Sequence, residues 1–219
     1  MELVNQDGGL TALGYVLAIA AIVLALGLAV FFTQKRNEKA ISVKRLVFGA
    51  AALSIAYVLS FVKLFPLPTG GSVTLCSMLF VVLIGYWYGP RTGLLTAFVY
   101  GMLQFLQGPY VISFLQVGCD YLFAFTCLGL AGFFKGKKHG LVIGYLISVL
   151  ARAAFHALGG YLFWMEYMPE DFPAALAWAY PVIYNFGYII AEAAITVIIL
   201  AVPAVKKGIA RITDMARKA

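Results

Sequence analysis

The feature that most constrains this chain is a succession of long apolar runs separated by short segments, with the basic residues gathered in every second segment. Only 11% of the residues are Asp, Glu, Lys or Arg and 63% are hydrophobic types, whereas a soluble domain carries about a quarter charged residues. Such a chain cannot cover its own surface with polar groups in water. A bilayer core of about 30 Å takes roughly 20 apolar residues per helix, and the runs are continuous rather than alternating, which excludes a spanning β-barrel. The expected fold class is therefore an all-α integral membrane protein. Spans are predicted at about 10–33, 46–65, 73–89, 92–107, 113–134, 140–165 and 180–204. No period of 20–50 residues marks a repeat array.

Charge gives the array a direction. Glu2 and Asp7 precede the first run, which is too long for the apolar region of a signal peptide and lacks a basic flank. Lys35, Arg36, Lys39, Lys44 and Arg45 follow it. Counting onward, Arg91, Lys135, Lys137, Lys138, Lys206, Lys207, Arg211, Arg217 and Lys218 all fall on that same side. Only Lys63 and Arg152 lie elsewhere, and the opposite side carries Glu166, Glu170 and Asp171. The positive-inside rule then predicts seven spans with the N-terminus outside and the C-terminus inside. The net charge of +7 is accounted for by this orientation, and no nucleic-acid partner is expected. The expected organisation is an extra N-terminal helix with a basic linker (1–43), a six-helix unit (44–207) and a basic tail (208–219).

Charged groups within spans cost roughly 2.5–3.5 kcal/mol each at a helix centre. Asp120, Arg152 and Glu192 therefore need partners or a polar cavity. Depth counting leaves two pairings open, Arg152 with Glu192 and Arg152 with Asp120. Arg152, His156, Gly160 and Trp164 recur every four residues on one face of the sixth span. The seventh adds Tyr180, Tyr184, Asn185 and Tyr188. An aromatic belt explains Tyr180, but an amide one turn deeper needs a buried partner. Asp120 and Tyr121, with these rings and amides, describe an outward-facing pocket poor in basic residues. Such a pocket suits a planar cationic or amphipathic ligand and gives a phosphorylated one little to hold.

Other chemistries find no support. There is no GxxxxGK[ST] stretch for ATP and no HExxH. Cys76, Cys119 and Cys127 read as small buried hydrophobes, without the spacing of a metal site. Nothing brings Ser113 to His156 as a nucleophile pair. No voltage-sensor helix, selectivity filter or inverted repeat appears.

From Arg45 to about Lys206 the sequence resembles the thiamine-specific substrate-binding (S) components of bacterial energy-coupling-factor vitamin transporters. The resemblance rests on LPTGGSVTLCSML at 67–79, YGP-x-x-GLL at 88–95, SFLQVGCDYLFAFTCLGLAGFF at 113–134, FHALGGYLFW at 155–164 and YPVIYN at 180–185. It implies a multi-pass protein of the bacterial plasma membrane, with a six-helix core that binds unphosphorylated thiamine from outside with high affinity. It implies no enzymatic activity and no cofactor. A transmembrane T component and two cytoplasmic ATPases would supply energy. By motif position, the binding residues would be Asp120, Tyr121, His156, Gly160, Trp164, Tyr180, Asn185 and, from the preceding outer loop, Tyr110. The family more often has Glu-Tyr where this chain has Asp120 and Tyr121. No ring is available in the loop after the first core helix, where Gly70 and Gly71 would approach the ligand or form a lid. Ala52 and Ala56 match the small residues with which the first core helix packs on the T component; packing within the chain itself is the other explanation. The alternatives to thiamine capture are an S component for another small vitamin or precursor, and a self-sufficient transporter using Asp120, Arg152 and Glu192 as a proton relay.

Overall fold

The computed structural model describes residues 3–6, 8–21, 24, 43–68 and 70–218. The first helix, α1 (Ala12–Ala21), covers the start of the first expected span; the rest of that span and the basic linker lie outside the described residues. The six helices of the expected core follow as α2 (Val43–Ser60), α3 (Ser77–Tyr88), α4 (Pro90–Gln107), α5 (Phe114–Phe134), α6 (Gly140–Phe163) and α7 (Tyr180–Ala201). An eighth helix, α8 (Pro203–Arg217), ends the chain. Each break has a local cause. Pro90 and Pro203 sit in the first turns of α4 and α8, where a missing N–H costs nothing. Gly89, at φ +99°, makes the corner between α3 and α4. Ser113 begins α5 by accepting a hydrogen bond from the Gln116 amide.

On α6 the large aliphatic side chains mostly face outward. On α6, Ile143, Ile147, Leu150, Leu158 and Leu162 are exposed, while Tyr145, Ser148, Arg152, Ala153 and Ala157 are buried. An apolar exterior around a small and polar interior suits a helix surrounded by lipid. Helices α2, α5, α6 and the segment Ala174–Ala201 are long and apolar enough to cross a membrane.

The structure corrects several expected spans. The second run does not continue to residue 65: α2 stops at Ser60, and an antiparallel hairpin follows, β1 (Lys63–Pro66) with β2 (Ser72–Thr74). The hairpin takes over the beginning of the third expected span, leaving α3 with 12 residues, or about 18 Å. Cys76 makes the turn into α3 at φ 57°. The fifth run is one helix with an irregular course, a π-helical turn at Gly118–Phe123 and a tighter 3-10 stretch at Cys127–Phe134. The basic tail is a packed helix: Trp87 Nε1 donates to Thr213 Oγ1 at 3.0 Å, and Arg217 to the Tyr86 carbonyl at 3.1 Å.

Three helices meet backbone to backbone at the basic end. A Cβ on Gly129 of α5 would fall 2.4 Å from the Gly93 carbonyl carbon of α4, and one on Gly93 2.7 Å from the Gly85 Cα of α3. Only glycine permits this approach. Ala52 and Ala56 behave in the same way within the chain. Both are buried, and the Ala56 carbonyl accepts from Tyr100 OH. Packing within the chain, the other explanation the sequence offers, thus engages both, and the exposed side of α2 is formed by residues such as Leu46, Val47 and Val58.

Candidate ligand-binding cavity

At the end opposite the basic cluster, the hairpin, the 108–112 loop and helices α4 to α7 enclose a cavity of about 600 Å³. Small-ligand pockets commonly measure about 300–1,000 Å³. All eight residues expected to bind ligand line it: Tyr110, Asp120, Tyr121, His156, Gly160, Trp164, Tyr180 and Asn185.

Asp120 lies on the π-helical turn of α5. Its Oδ2 accepts from Gln116 Nε2 at 2.7 Å and from Trp164 Nε1 at 2.9 Å. Gln116 is fully buried and is itself held, its Oε1 accepting from the Ile112 amide. Gly159 leaves room for the carboxylate, since a Cβ there would stand 2.6 Å from Asp120 Oδ1. Asp120 therefore reaches its place by a regular set of partners despite being one methylene shorter than glutamate. Tyr121 OH donates to the Gly108 carbonyl at 2.8 Å, fixing the loop that carries Tyr110.

His156 is oriented from both sides. Arg152 Nε donates to His156 Nε2 at 3.3 Å. A guanidinium nitrogen has no acceptor capacity, so Nε2 is the unprotonated nitrogen and the ring proton sits on Nδ1. That atom faces Asp120 Oδ1 at 4.0 Å. The Arg152 guanidinium lies 4.3 Å over the Phe125 ring. Neither pairing left open for Arg152 is formed: among the described residues no ion pair joins it to Asp120 or Glu192. Glu192 is occupied elsewhere. Its carboxylate accepts from the Thr74 amide (3.0 Å), Thr74 Oγ1 (2.7 Å), Ser77 Oγ (3.4 Å) and the Met78 amide (3.4 Å). It ties the descending strand β2 and the start of α3 to the middle of α7.

On α7, Asn185 Nδ2 donates to the Pro181 carbonyl at 2.9 Å, so its buried partner belongs to its own helix. Tyr184 OH donates to the Gly70 carbonyl at 2.8 Å, joining α7 to the hairpin tip. Gly70 and Gly71 both line the cavity with positive φ. Gly160 lets two helices close on each other: a Cβ there would meet Pro181 Cβ at 2.8 Å and Asn185 Nδ2 at 3.2 Å. At the mouth, Tyr110 and Tyr167 share a hydrogen bond of 3.2 Å, and both rings lie 5.3 Å from Trp164.

Sequence reasoning missed Lys63 as a lining residue, and Arg152 also reaches the cavity. Two bases thus accompany the two carboxylates Asp120 and Glu192, and the expectation of a pocket poor in positive charge is corrected. Lys63 escaped notice because its segment was assigned to a span. Ser113 caps α5 rather than lining the cavity. Among the described residues no cluster of His, Cys, Asp and Glu could hold a metal ion. The arrangement holds rings, two carboxylates, two bases and neutral polar groups around an open-mouthed cavity, a lining able to bind a small aromatic ligand.

No curated protein matches the chain by sequence. Among solved structures, the chain is similar to ThiT from Listeria monocytogenes, with a TM-score of 0.54 and 20% identity over 80% of this chain and 94% of the other. At that identity the likeness establishes the fold. The family described as thiamine transporter protein (Thia_YuaJ) matches residues 46–211. With well over half of its 219 residues matched in this way, the chain belongs to the Thia_YuaJ family of thiamine transporter proteins, which are transport proteins and not enzymes.

Proposed function

We propose that the protein is the thiamine-capturing S component of an energy-coupling-factor uptake system in a bacterial plasma membrane. It binds unphosphorylated thiamine from outside with high affinity, with the cavity outward and the basic end inward. Transport then depends on a T component and two ATPases. The observation that carries this proposal is the convergence of eight residues, chosen from four separate segments of sequence, on one cavity. Within it Asp120 faces the positive charge or aminopyrimidine of the ligand. Trp164, Tyr110 and His156 supply ring contacts, and Tyr180 and Asn185 supply polar ones.

Titrating the purified protein with thiamine while following tryptophan fluorescence tests the proposal. Saturable quenching at or below micromolar thiamine is expected, with riboflavin, biotin and a bare pyrimidine competing poorly. Absence of quenching at micromolar thiamine would count against it. Uptake into vesicles driven by a proton gradient, without ATPase subunits, would overturn the dependence on an energising module.

A further inference from the structure

The family match begins at residue 46, and nothing about the cavity so far assigns a task to the chain before it. The described N-terminal residues form a tight turn. Val4 pairs with Leu10 in an antiparallel bridge, and Asn5 exchanges bonds with the segment it faces: its amide donates to the Gly9 carbonyl at 2.9 Å, and its Oδ1 accepts from the Gly9 amide at 2.7 Å. The turn is folded onto the start of α1, where a Cβ on Gly14 would collide with the Leu3 carbonyl. It is therefore not a loose end.

The tip of this turn rests on the mouth of the cavity. The Gly8 carbonyl accepts from the Val111 amide at 2.7 Å. A Cβ on Gly8 would lie 3.0 Å from the Tyr110 ring, and Gly8 has φ +79°, a conformation that suits glycine. The next contacts lead inward. Tyr110 stacks at a tilt on Trp164, and Trp164 Nε1 bonds Asp120. One backbone bond, one ring contact and one indole hydrogen bond thus connect a segment outside the matched family region to the carboxylate inside the cavity.

We propose that the N-terminal turn is a brace for ligand retention. By holding Tyr110 over Trp164, Gly8 acts as a positioning residue that slows the escape of bound ligand. The proposal rests on the thiamine-capture function above. Gly8→Val places a β-branched side chain at a strained φ and against the Tyr110 ring. Its expected effect is a thiamine dissociation rate about tenfold faster, equivalent to roughly 1.4 kcal/mol, with little change in association rate. Asn5→Ala, which removes only the side-chain bond within the turn, should raise the rate less. Because the brace acts through Tyr110, Gly8→Val added to Tyr110→Ala should produce no further acceleration.

A ligand-free readout separates the two proposals. In Trp178→Phe protein, Trp164 dominates the quenchable fluorescence, since Trp87 is only 3% exposed and Trp178 is 71% exposed. Acrylamide should quench Trp164 more readily in the Gly8→Val variant. Unchanged dissociation in Gly8→Val and Asn5→Ala, or additive effects with Tyr110→Ala, would overturn the brace while leaving thiamine capture intact. A wild-type protein that binds no thiamine overturns thiamine capture instead; acrylamide quenching equal in wild type and Gly8→Val would then overturn the brace as well.

Discussion

Replacing Asp120 by Asn isolates the charge of the cavity from its shape. The Asn carboxamide oxygen can take the place of Oδ2 and keep accepting from Gln116 Nε2 and Trp164 Nε1, now at 2.7 and 2.9 Å. The amide NH₂ then occupies the position of Oδ1, facing the protonated Nδ1 of His156 4.0 Å away. Geometry holds, but two charge-assisted bonds of about 1.5–3 kcal/mol each become neutral bonds of about 0.5–1.5. That loss affects folding stability and is partly offset by no longer burying a charge. The effect on binding is separate. Truncating one member of a desolvated charge pair costs about 2–5 kcal/mol, so Kd for thiamine should rise by roughly 30-fold to several thousandfold. Tryptophan fluorescence titration measures it, and a thermal melt checks that the variant is folded. A neutral aminopyrimidine lacking the thiazolium should lose much less affinity. A thiamine Kd within about threefold of wild type would remove Asp120 from the site. An equal loss for the neutral ligand would refute the charge argument and leave a hydrogen-bonding role.

Glu192→Gln should lower thermal stability by about 1–3 kcal/mol, because its NH₂ must face a buried donor, either at Thr74 or at Ser77 and Met78; hydrogen exchange at the Thr74 and Met78 amides should speed up in parallel. Gly129→Ala should destabilise by about 1–3 kcal/mol or more because its Cβ meets backbone at 2.4 Å, whereas Gly49→Ala, with nothing within 4 Å, should stabilise α2 by up to about 1 kcal/mol; thermal melts of both variants test the contrast. At the basic end, partial burial and the neighbouring Arg217 and Arg45 hold the Lys135 ammonium below its ordinary value of 10.5. The unfolded chain then binds the extra proton, so stability should rise as pH climbs through the window just below 10.5. Lys135→Gln should flatten that rise in melts recorded across alkaline pH.

The parts of the site that could be read from sequence are those where a polar group is costly. Asp120, His156 and Asn185 interrupt apolar runs, and their expense in lipid marks them as occupied by function or partner. The same logic failed for partners. Depth counting offered Glu192 or Asp120 as the partner of Arg152, yet Glu192 binds Thr74, because β2 descends into the bundle where a helix was expected. The run from Ser60 into Lys63–Leu67 is apolar enough to pass for helix, and only Pro66, Pro68, Gly70 and Gly71 hint at a hairpin. Ala52 and Ala56 carry a small-residue spacing that serves any close helix contact, so sequence could not say which neighbour fills it. The turn at Val4–Leu10 has no periodic signal at all; its position at the cavity mouth emerges only from tertiary contact.

The contact of Gly85, Gly93 and Gly129 makes the two ends of the molecule mechanically unlike. Where backbones touch without intervening side chains, there are no rotamers to exchange and no play to take up. At the cavity end several of the joints are single hydrogen bonds from side chains, such as Tyr184 to Gly70 and Tyr110 to Tyr167. These joints can part and re-form one at a time. The molecule thus joins a stem of touching backbones to a rim held by polar side-chain ties.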